Sequence, residues 1–205
     1  MRKRNTVRQS SGRGYHHGDA RNALLKAAAE LLEKLGAAGL SLRQVAERAG
    51  LSRQAPYNHF ENKEALLAEL VRAGFERLAA SLAAGGDPKA SNALARAADA
   101  YIQRAQQAPA LFRLMFSREL VDLSRFPAAA QAGTTAFGKL TEIIAAFAAA
   151  DRVRELALAA WSLVHGYATL CIEVALEPDN RRAARALLFA RIIRAAAKAT
   201  RGGEP

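Results

Sequence analysis

An all-helical chain in two parts, a small N-terminal unit followed by a larger C-terminal one, is what this sequence predicts, and three observations carry that expectation. Alanine supplies 49 of the 205 residues, favouring helix at small side-chain volume while adding little strand preference. Large apolar residues recur three and four positions apart through most of the chain, the spacing of a helix face. Positive charge gathers at one end: residues 1–63 carry 12 Lys/Arg and 5 Asp/Glu, a net of +7, whereas residues 64–205 carry 18 and 14, a net of +4. The total of +11 points to a polyanionic partner, either nucleic acid or an acidic membrane surface. At this length a core can form without covalent staples, and the single Cys171 excludes an internal disulfide and a cysteine-built zinc finger.

Residues 1–18 hold no acidic residue and few large apolar ones, so they cannot bury enough surface to offset the entropy of ordering and are expected to form a flexible basic arm. From Asp19 the pattern changes. Leu24, Leu25, Ala28, Leu31, Leu32 and Leu35 fall at helical spacing, predicting a helix over 19–35 with Asp19 as N-cap and Gly36 as its stop. Ser41 caps a short helix whose inward residues are Leu42, Val45, Ala46 and Ala49, and Gly50 ends it. Ser52 caps the next, which runs to about His59. Two short helices joined through Gly50-Leu51-Ser52 make a helix-turn-helix, in which small Ala46 permits a close crossing and the second helix offers its N-terminal side chains to a DNA major groove.

Arg53 and Gln54 stand at the exposed start of that second helix, where a guanidinium can pair with guanine and a carboxamide with adenine. Tyr57 and His59, near its other end, can donate to phosphate oxygens and so set register. Phe60 is expected to pack beneath the three helices. Lys63 opens the following long helix, where its ammonium and the free backbone N–H groups can together hold a phosphate. Pro56 falls at the fourth helical position and forfeits the first intrahelical bond, which predicts a 3₁₀-like or shifted start.

Residues 15–70 resemble the DNA-binding domain of the tetracycline-repressor (TetR) family of bacterial regulators. The likeness runs in unbroken order through Leu42-Arg43-Gln44-Val45-Ala46, Ala49-Gly50-Leu51-Ser52 and Tyr57-Asn58-His59-Phe60-Glu61-Asn62-Lys63-Glu64-Ala65-Leu66. It implies a homodimeric, ligand-responsive repressor with an all-helical C-terminal domain. By position, Ser41, Arg43, Ser52, Arg53, Gln54, Ala55, Tyr57, Asn58, His59 and Lys63 form the DNA-binding set. The resulting division is an arm over 1–18, a helix-turn-helix domain over 19–62, and a ligand-binding and dimerisation domain over 63–205.

The C-terminal part reads as helices over 62–84, 88–107, 109–118, 127–149, 152–176 and 179–200, punctuated by Gly85-Gly86, Pro109, Pro127, Asp151 and Pro178. The helix over 152–176 is apolar nearly all round, with Leu156, Leu163, Val164, Tyr167, Leu170 and Val174 on one side and Leu158, Trp161, His165 and Ile172 on another, so it must be covered twice. One face can line a cavity while another meets helix 179–200, whose Leu187, Leu188, Ile192 and Ala195 form a stripe. Paired across a two-fold axis the two helices would make a four-helix interface, with Tyr167, Leu170, Val174, Leu187, Leu188 and Ile192 at its centre. Trp161-Ser162-Leu163-Val164-His165-Gly166 is similar to the Trp-x-x-x-His-Gly signature of one C-terminal class of the same family. There Gly166 would allow close helix packing, and His165 is either a core histidine bonded to a neighbouring carbonyl or a hydrogen-bonding group for a ligand. Tyr101, Phe112, Met115, Phe116 and Phe137 complete the expected cavity wall, suited to an apolar or aromatic small molecule without a required charge.

Two other motifs are set aside. His16-His17-Gly18-Asp19 lacks the fixed geometry of a metal site. Residues 133–139 have phosphate-loop spacing, but Leu140 replaces the magnesium-ligating Ser/Thr and no strand precedes them. No His-Glu-x-x-His or Gly-x-Ser-x-Gly run occurs, and Cys171 and His165 fall on different faces of one helix, so no enzyme, metal or cofactor is expected. Asp151, Arg152, Arg154 and Glu155 interrupt the most apolar region and the N-terminus lacks a signal-peptide core, so a cytoplasmic protein off the membrane is expected. The expected partners are a palindromic DNA operator, a small-molecule effector and a second copy. The rival class is a basic architectural DNA-binding or membrane-surface protein without an effector.

Overall fold

The computed structural model describes residues 17–174 and 182–199; the predicted arm up to residue 16, the turn at Pro178 and the expected start of the last helix lie outside them. The described residues form eight α-helices, three short 3₁₀ segments and no strand: α1 (His17–Gly39), α2 (Leu42–Arg48), α3 (Lys63–Ala83), α4 (Ala93–Gln107), α5 (Pro109–Met115), α6 (Pro127–Ala145), α7 (Val153–Glu173) and α8 (Arg182–Ala199).

Local chemistry explains most boundaries. Asp19 lies in the first turn of α1 instead of capping it, where its charge still meets the positive end of the helix dipole. Gly36 breaks α1 at φ 67°, ψ 172°. The helix predicted from 88 begins at Ala93, because Asp87 folds Lys89 and Ala90 into a turn by accepting their amides. The helix predicted to 149 ends at Ala145, where the Phe147 and Ala148 amides both turn back to the Ile144 carbonyl. Residues 133–139 lie within α6, so the phosphate-loop spacing belongs to a continuous helix.

α3 joins the two parts of the fold. Leu66, Leu67, Leu70 and Val71 in its N-terminal half are buried, as are Phe75, Leu78 and Leu82 in its C-terminal half, and the helix packs on α1 as well as on α4, α5 and α6. Gly74 admits the closest approach: a Cβ there would lie 2.6 Å from Met115 Sδ of α5. Two carboxylates reinforce these contacts, and the first of them bridges the two parts. Glu33 of α1 accepts the Ala110 and Leu111 amides at the start of α5, at 3.0 and 2.9 Å. Glu64 of α3 accepts the Asp122 amide at 3.2 Å and pairs with Arg125 at 2.5 Å, ahead of α6.

The segment Ala150–Glu173 is long and apolar enough to cross a membrane by length and composition alone. The charges expected to interrupt it all fall before Leu156. Within this fold Leu156, Ala157, Ala160, Val164 and Ala168 of α7 are buried. α8 turns Ala186, Ala190, Ile193 and Ala197 inward and packs on α4 and α7. The stripe expected to make that contact, Leu187, Leu188, Ile192 and Ala195, faces outward instead. Short alanines let helix axes approach closely, which is why they and not the leucines form the internal seam.

Candidate functional site

The helix-turn-helix is held by backbone geometry that its residue types require. The Ser41 side chain accepts the Gln44 amide at 3.3 Å, capping α2. At the other end the Leu51 amide returns to the Ala46 carbonyl and the Gly50 amide to the Glu47 carbonyl, with Gly50 at φ 68°. This is the Schellman closure, whose left-handed residue is glycine because a Cβ there would be strained. Beyond it the chain forms a turn over 53–54 and a 3₁₀ segment, Ala55–Asn58, in place of an α-helix capped by Ser52. Ser52 contributes its backbone carbonyl to Ala55, at 3.0 Å. Pro56 is fully buried and has no amide to satisfy, so the element turns around it and presents the flanking side chains outward.

The exposed set on this face is Arg43, Gln44, Ser52, Arg53, Gln54, Tyr57 and Asn58, with Tyr57 54% exposed despite its ring. Gln44 joins the surface although the sequence marks it only as part of a motif. Ser41 and Ala55 are half-buried. His59 is half-buried beside the Phe60 ring, and Phe60 is buried under the Arg21 guanidinium. Lys63 opens α3 and Asn62 caps it, accepting the Ala65 amide at 2.9 Å. The Lys63 ammonium donates to the Ala38 carbonyl at 3.2 Å, which ties the start of α3 to the end of α1. Arg48 is engaged with Glu30, whereas Arg43 and Arg53 are exposed cations of this surface.

The second site is a cavity bounded by α3, α4, α6, α7 and α8 together with Phe116, which follows α5. Of the residues expected in a ligand pocket, Tyr101, Phe116, Phe137 and Trp161 line this cavity, together with Phe75 and Phe189. Its water-sized interior is about 50 Å³, room for a few small groups, so a larger ligand must displace side chains. Phe75, Leu78, Leu140 and Phe189 also line it, and in sequence they are indistinguishable from ordinary helix-face residues. Phe112 and Met115 do not line this cavity. They line a neighbouring cleft between α3, α4 and α5, separated from it by the Tyr101 ring, which meets Phe112 edge-on at 5.7 Å.

His165 is also absent from the cavity wall. It lies among the Phe112 and Phe116 rings, at 5.2 and 4.5 Å between centroids, and its Nδ1 is 2.8 Å from the Tyr101 hydroxyl. Of the two readings the sequence leaves open, a core histidine fits this placement, with a phenol from another helix in place of a backbone carbonyl. Trp161 Nε1–H donates to the same oxygen at 3.1 Å. We assign the Tyr101 O–H as donor to His165 Nδ1, so that hydroxyl both donates and accepts, and the imidazole is neutral with its proton on Nε2. Burial raises the Tyr101 phenol pKa, so that group stays protonated, and burial lowers that of His165 below its ordinary 6.5.

Because the folded imidazole resists protonation while the unfolded one does not, its contribution is intact above about pH 6.5 and is lost as pH falls toward the lowered folded value. Between pH 7 and 5 the thermal midpoint should therefore fall more steeply for the wild type than for His165→Gln. Equal slopes would remove His165 from the acid sensitivity.

α7 and α8 present an outward face that none of the described residues covers. Six of the nine exposed large hydrophobics among the described residues lie there: Leu158, Leu170, Val174, Leu187, Leu188 and Ile192, between 43% and 61% exposed. Leu158, expected on the cavity side, belongs to this outer face. So does Gly166, where a Cβ would meet nothing within 4 Å; it serves no close packing among the described residues. Tyr167 is turned into the seam of its own chain and meets Phe189 edge-on at 5.4 Å.

Residues 24–70 match the family described as bacterial regulatory proteins, tetR family. Residues 94–196 match the tetracyclin repressor-like C-terminal domain. The tetracycline repressor protein class A from transposon 1721 of Escherichia coli is 46% identical over 52 residues, 25% of this chain and 24% of that protein; the match thus spans about a quarter of the relative's length. A solved protein of unknown function from Rhodococcus sp. RHA1 is 30% identical with a TM-score of 0.76, covering 90% of this chain and 98% of that one. The TetR family transcriptional regulator PfmR from Thermus thermophilus shares the fold at a TM-score of 0.59 and 23% identity, over 89% and 99% of the two chains.

Proposed function

The chain belongs to the tetR family of bacterial regulatory proteins, and from that premise we propose that this DNA-binding transcriptional regulator is a homodimeric repressor that binds a palindromic operator and is released by an apolar or aromatic effector. It works beside bacterial DNA, in the cytoplasm. The observation that carries the DNA reading is the cluster of Arg43, Arg53, Gln54, Tyr57 and Asn58, exposed together around the buried Pro56. Arg53 and Gln54 read bases from the turn ahead of the 3₁₀ segment, Arg43, Tyr57 and Asn58 grip phosphates around them, and Lys63 adds a phosphate contact from the start of α3. The domain limits of 19–62 and 63–205 follow the same division of labour, with α3 as the shared element.

The exposed face of α7 and α8 supports the dimer. Its leucines and isoleucine form a patch of the kind that soluble monomers rarely leave uncovered, and a second copy of the same two helices covers it as a four-helix bundle. The aromatic cavity supports the effector reading, because its wall includes Phe116 at the end of α5 while the start of α5 is held by Glu33 of α1. A ligand that displaces Phe116 therefore acts on the DNA-binding part through one short helix.

Substitution separates the two kinds of DNA contact. Arg53→Ala should cost ~1–3 kcal/mol on the operator and relax sequence preference, whereas Lys63→Ala should weaken operator and scrambled duplexes alike and flatten the salt slope by about one. Titrations of both duplexes at several salt concentrations decide it. An intact preference in Arg53→Ala removes Arg53 from base reading, and equal wild-type affinity for every duplex returns the protein to the architectural class.

A further inference from the structure

Resting on the reading of the aromatic cavity as the effector site, we infer that the effector is an amphipathic organic anion: its apolar body enters that cavity, and its carboxylate stays in the neighbouring cleft, on Arg77 and Arg104. The cleft between α3, α4 and α5 shares Leu78 and Tyr101 with the cavity, so one side-chain layer separates the two spaces. Its floor is apolar, with Leu111 and Phe112, and the exposed Arg77 and Arg104 stand at its mouth.

Among the described residues neither guanidinium forms an ion pair, and no Asp or Glu lines either space. Arg104 is held in place from behind: its Nε donates to Ser81 Oγ at 2.8 Å, and that hydroxyl donates to the Arg77 carbonyl at 2.8 Å. One serine thus links both arginine positions while the terminal nitrogens of Arg104 remain for a ligand. The neighbouring carboxylates are engaged elsewhere, Glu33 on the α5 amides and Glu76 on Arg72. A planar carboxylate matches a guanidinium in two parallel hydrogen bonds. With two guanidiniums and the exposed Gln107 on the cleft wall, and apolar and aromatic groups such as Leu78, Leu111 and Phe112 beside them, the cleft orients a ligand head outward and tail inward.

Tyr101 is then the door. A tail passing from cleft to cavity displaces its ring and breaks the hydroxyl contacts to His165 and Trp161, so entry is reported by the single tryptophan. The test uses the full chain and matched probe pairs, decanoate with decanamide and 4-phenylbutanoate with 4-phenylbutanamide, followed by calorimetry and Trp161 emission. The carboxylate of at least one pair should bind tenfold or more tighter than its amide and shift Trp161 emission, and Arg77→Gln and Arg104→Gln should each bring the ratio toward one without weakening the amide. Equal binding of acid and amide to the wild type overturns the anion inference and leaves the cavity reading standing. A preference that survives in both variants overturns the assignment to these arginines. Absence of binding by all four probes overturns the inference together with the cavity reading on which it rests.

Discussion

Leu188→Glu combined with Ile192→Glu is expected to convert the protein from a dimer into a folded monomer and to lower operator affinity by about 10²–10⁴-fold, the range over which linking two binding modules raises avidity. Both side chains lie on the outward stripe of α8 and are nearly half exposed in the single chain, so the charges cost little within one protomer. Across a two-fold axis the same carboxylates would be buried against their own copies without partners. Operator binding falls with the dimer because one short reading element makes few contacts, while two joined rigidly meet half-sites about 34–36 Å apart or a multiple of that. Light scattering, circular dichroism and operator titration on the same samples separate loss of assembly from loss of fold. A wild-type monomer that binds the palindrome tightly would falsify the dimer.

Effector binding should lower operator affinity by about 5–150-fold, a coupling of ~1–3 kcal/mol, and operator should weaken the effector by the same factor. Glu33→Gln should leave operator and effector affinities near their wild-type values when each is measured alone, and bring the coupling toward one. The reason lies in how α5 is held. Its first free amides, Ala110 and Leu111, are accepted by the Glu33 carboxylate of α1. The Met115 sulfur near its end rests on Gly74 of α3, and Phe116 just beyond enters the cavity. A displacement at Phe116 thus reaches α1 through the cap and α3 through the glycine contact. Glutamine keeps the length of the side chain but loses one acceptor and the charge-assisted strength of both bonds. Coupling unchanged in Glu33→Gln would move the transmission to α3 alone, or to the Glu64–Arg125 bridge.

The N-terminal surface was legible because each of its devices is local. The Ser41 cap, the Gly50 closure and the break at Gly36 are each settled by residues within a few positions, and burial of Phe60 follows from its place after the turn. Even the departure from an α-helix after Ser52 was signalled by Pro56, whose missing amide is a property of the residue itself. The outward stripe of α8 could be read as apolar, but not which way it faced, since two apolar stripes compete for the inside and the shorter alanines pack closer.

What the sequence determined by itself is therefore the helical class, the helix-turn-helix and its exposed Arg53, Gln54 and Tyr57, all governed by backbone periodicity and caps that act over three or four residues. The tertiary structure alone decided that Phe112 and Met115 stand behind Tyr101 and not in the cavity, that His165 meets a phenol 64 positions away, and that Glu33 closes the end of a helix 77 positions on. Those outcomes depend on which helix crosses which and at what separation. Packing sets both, through side-chain volumes summed over the whole core.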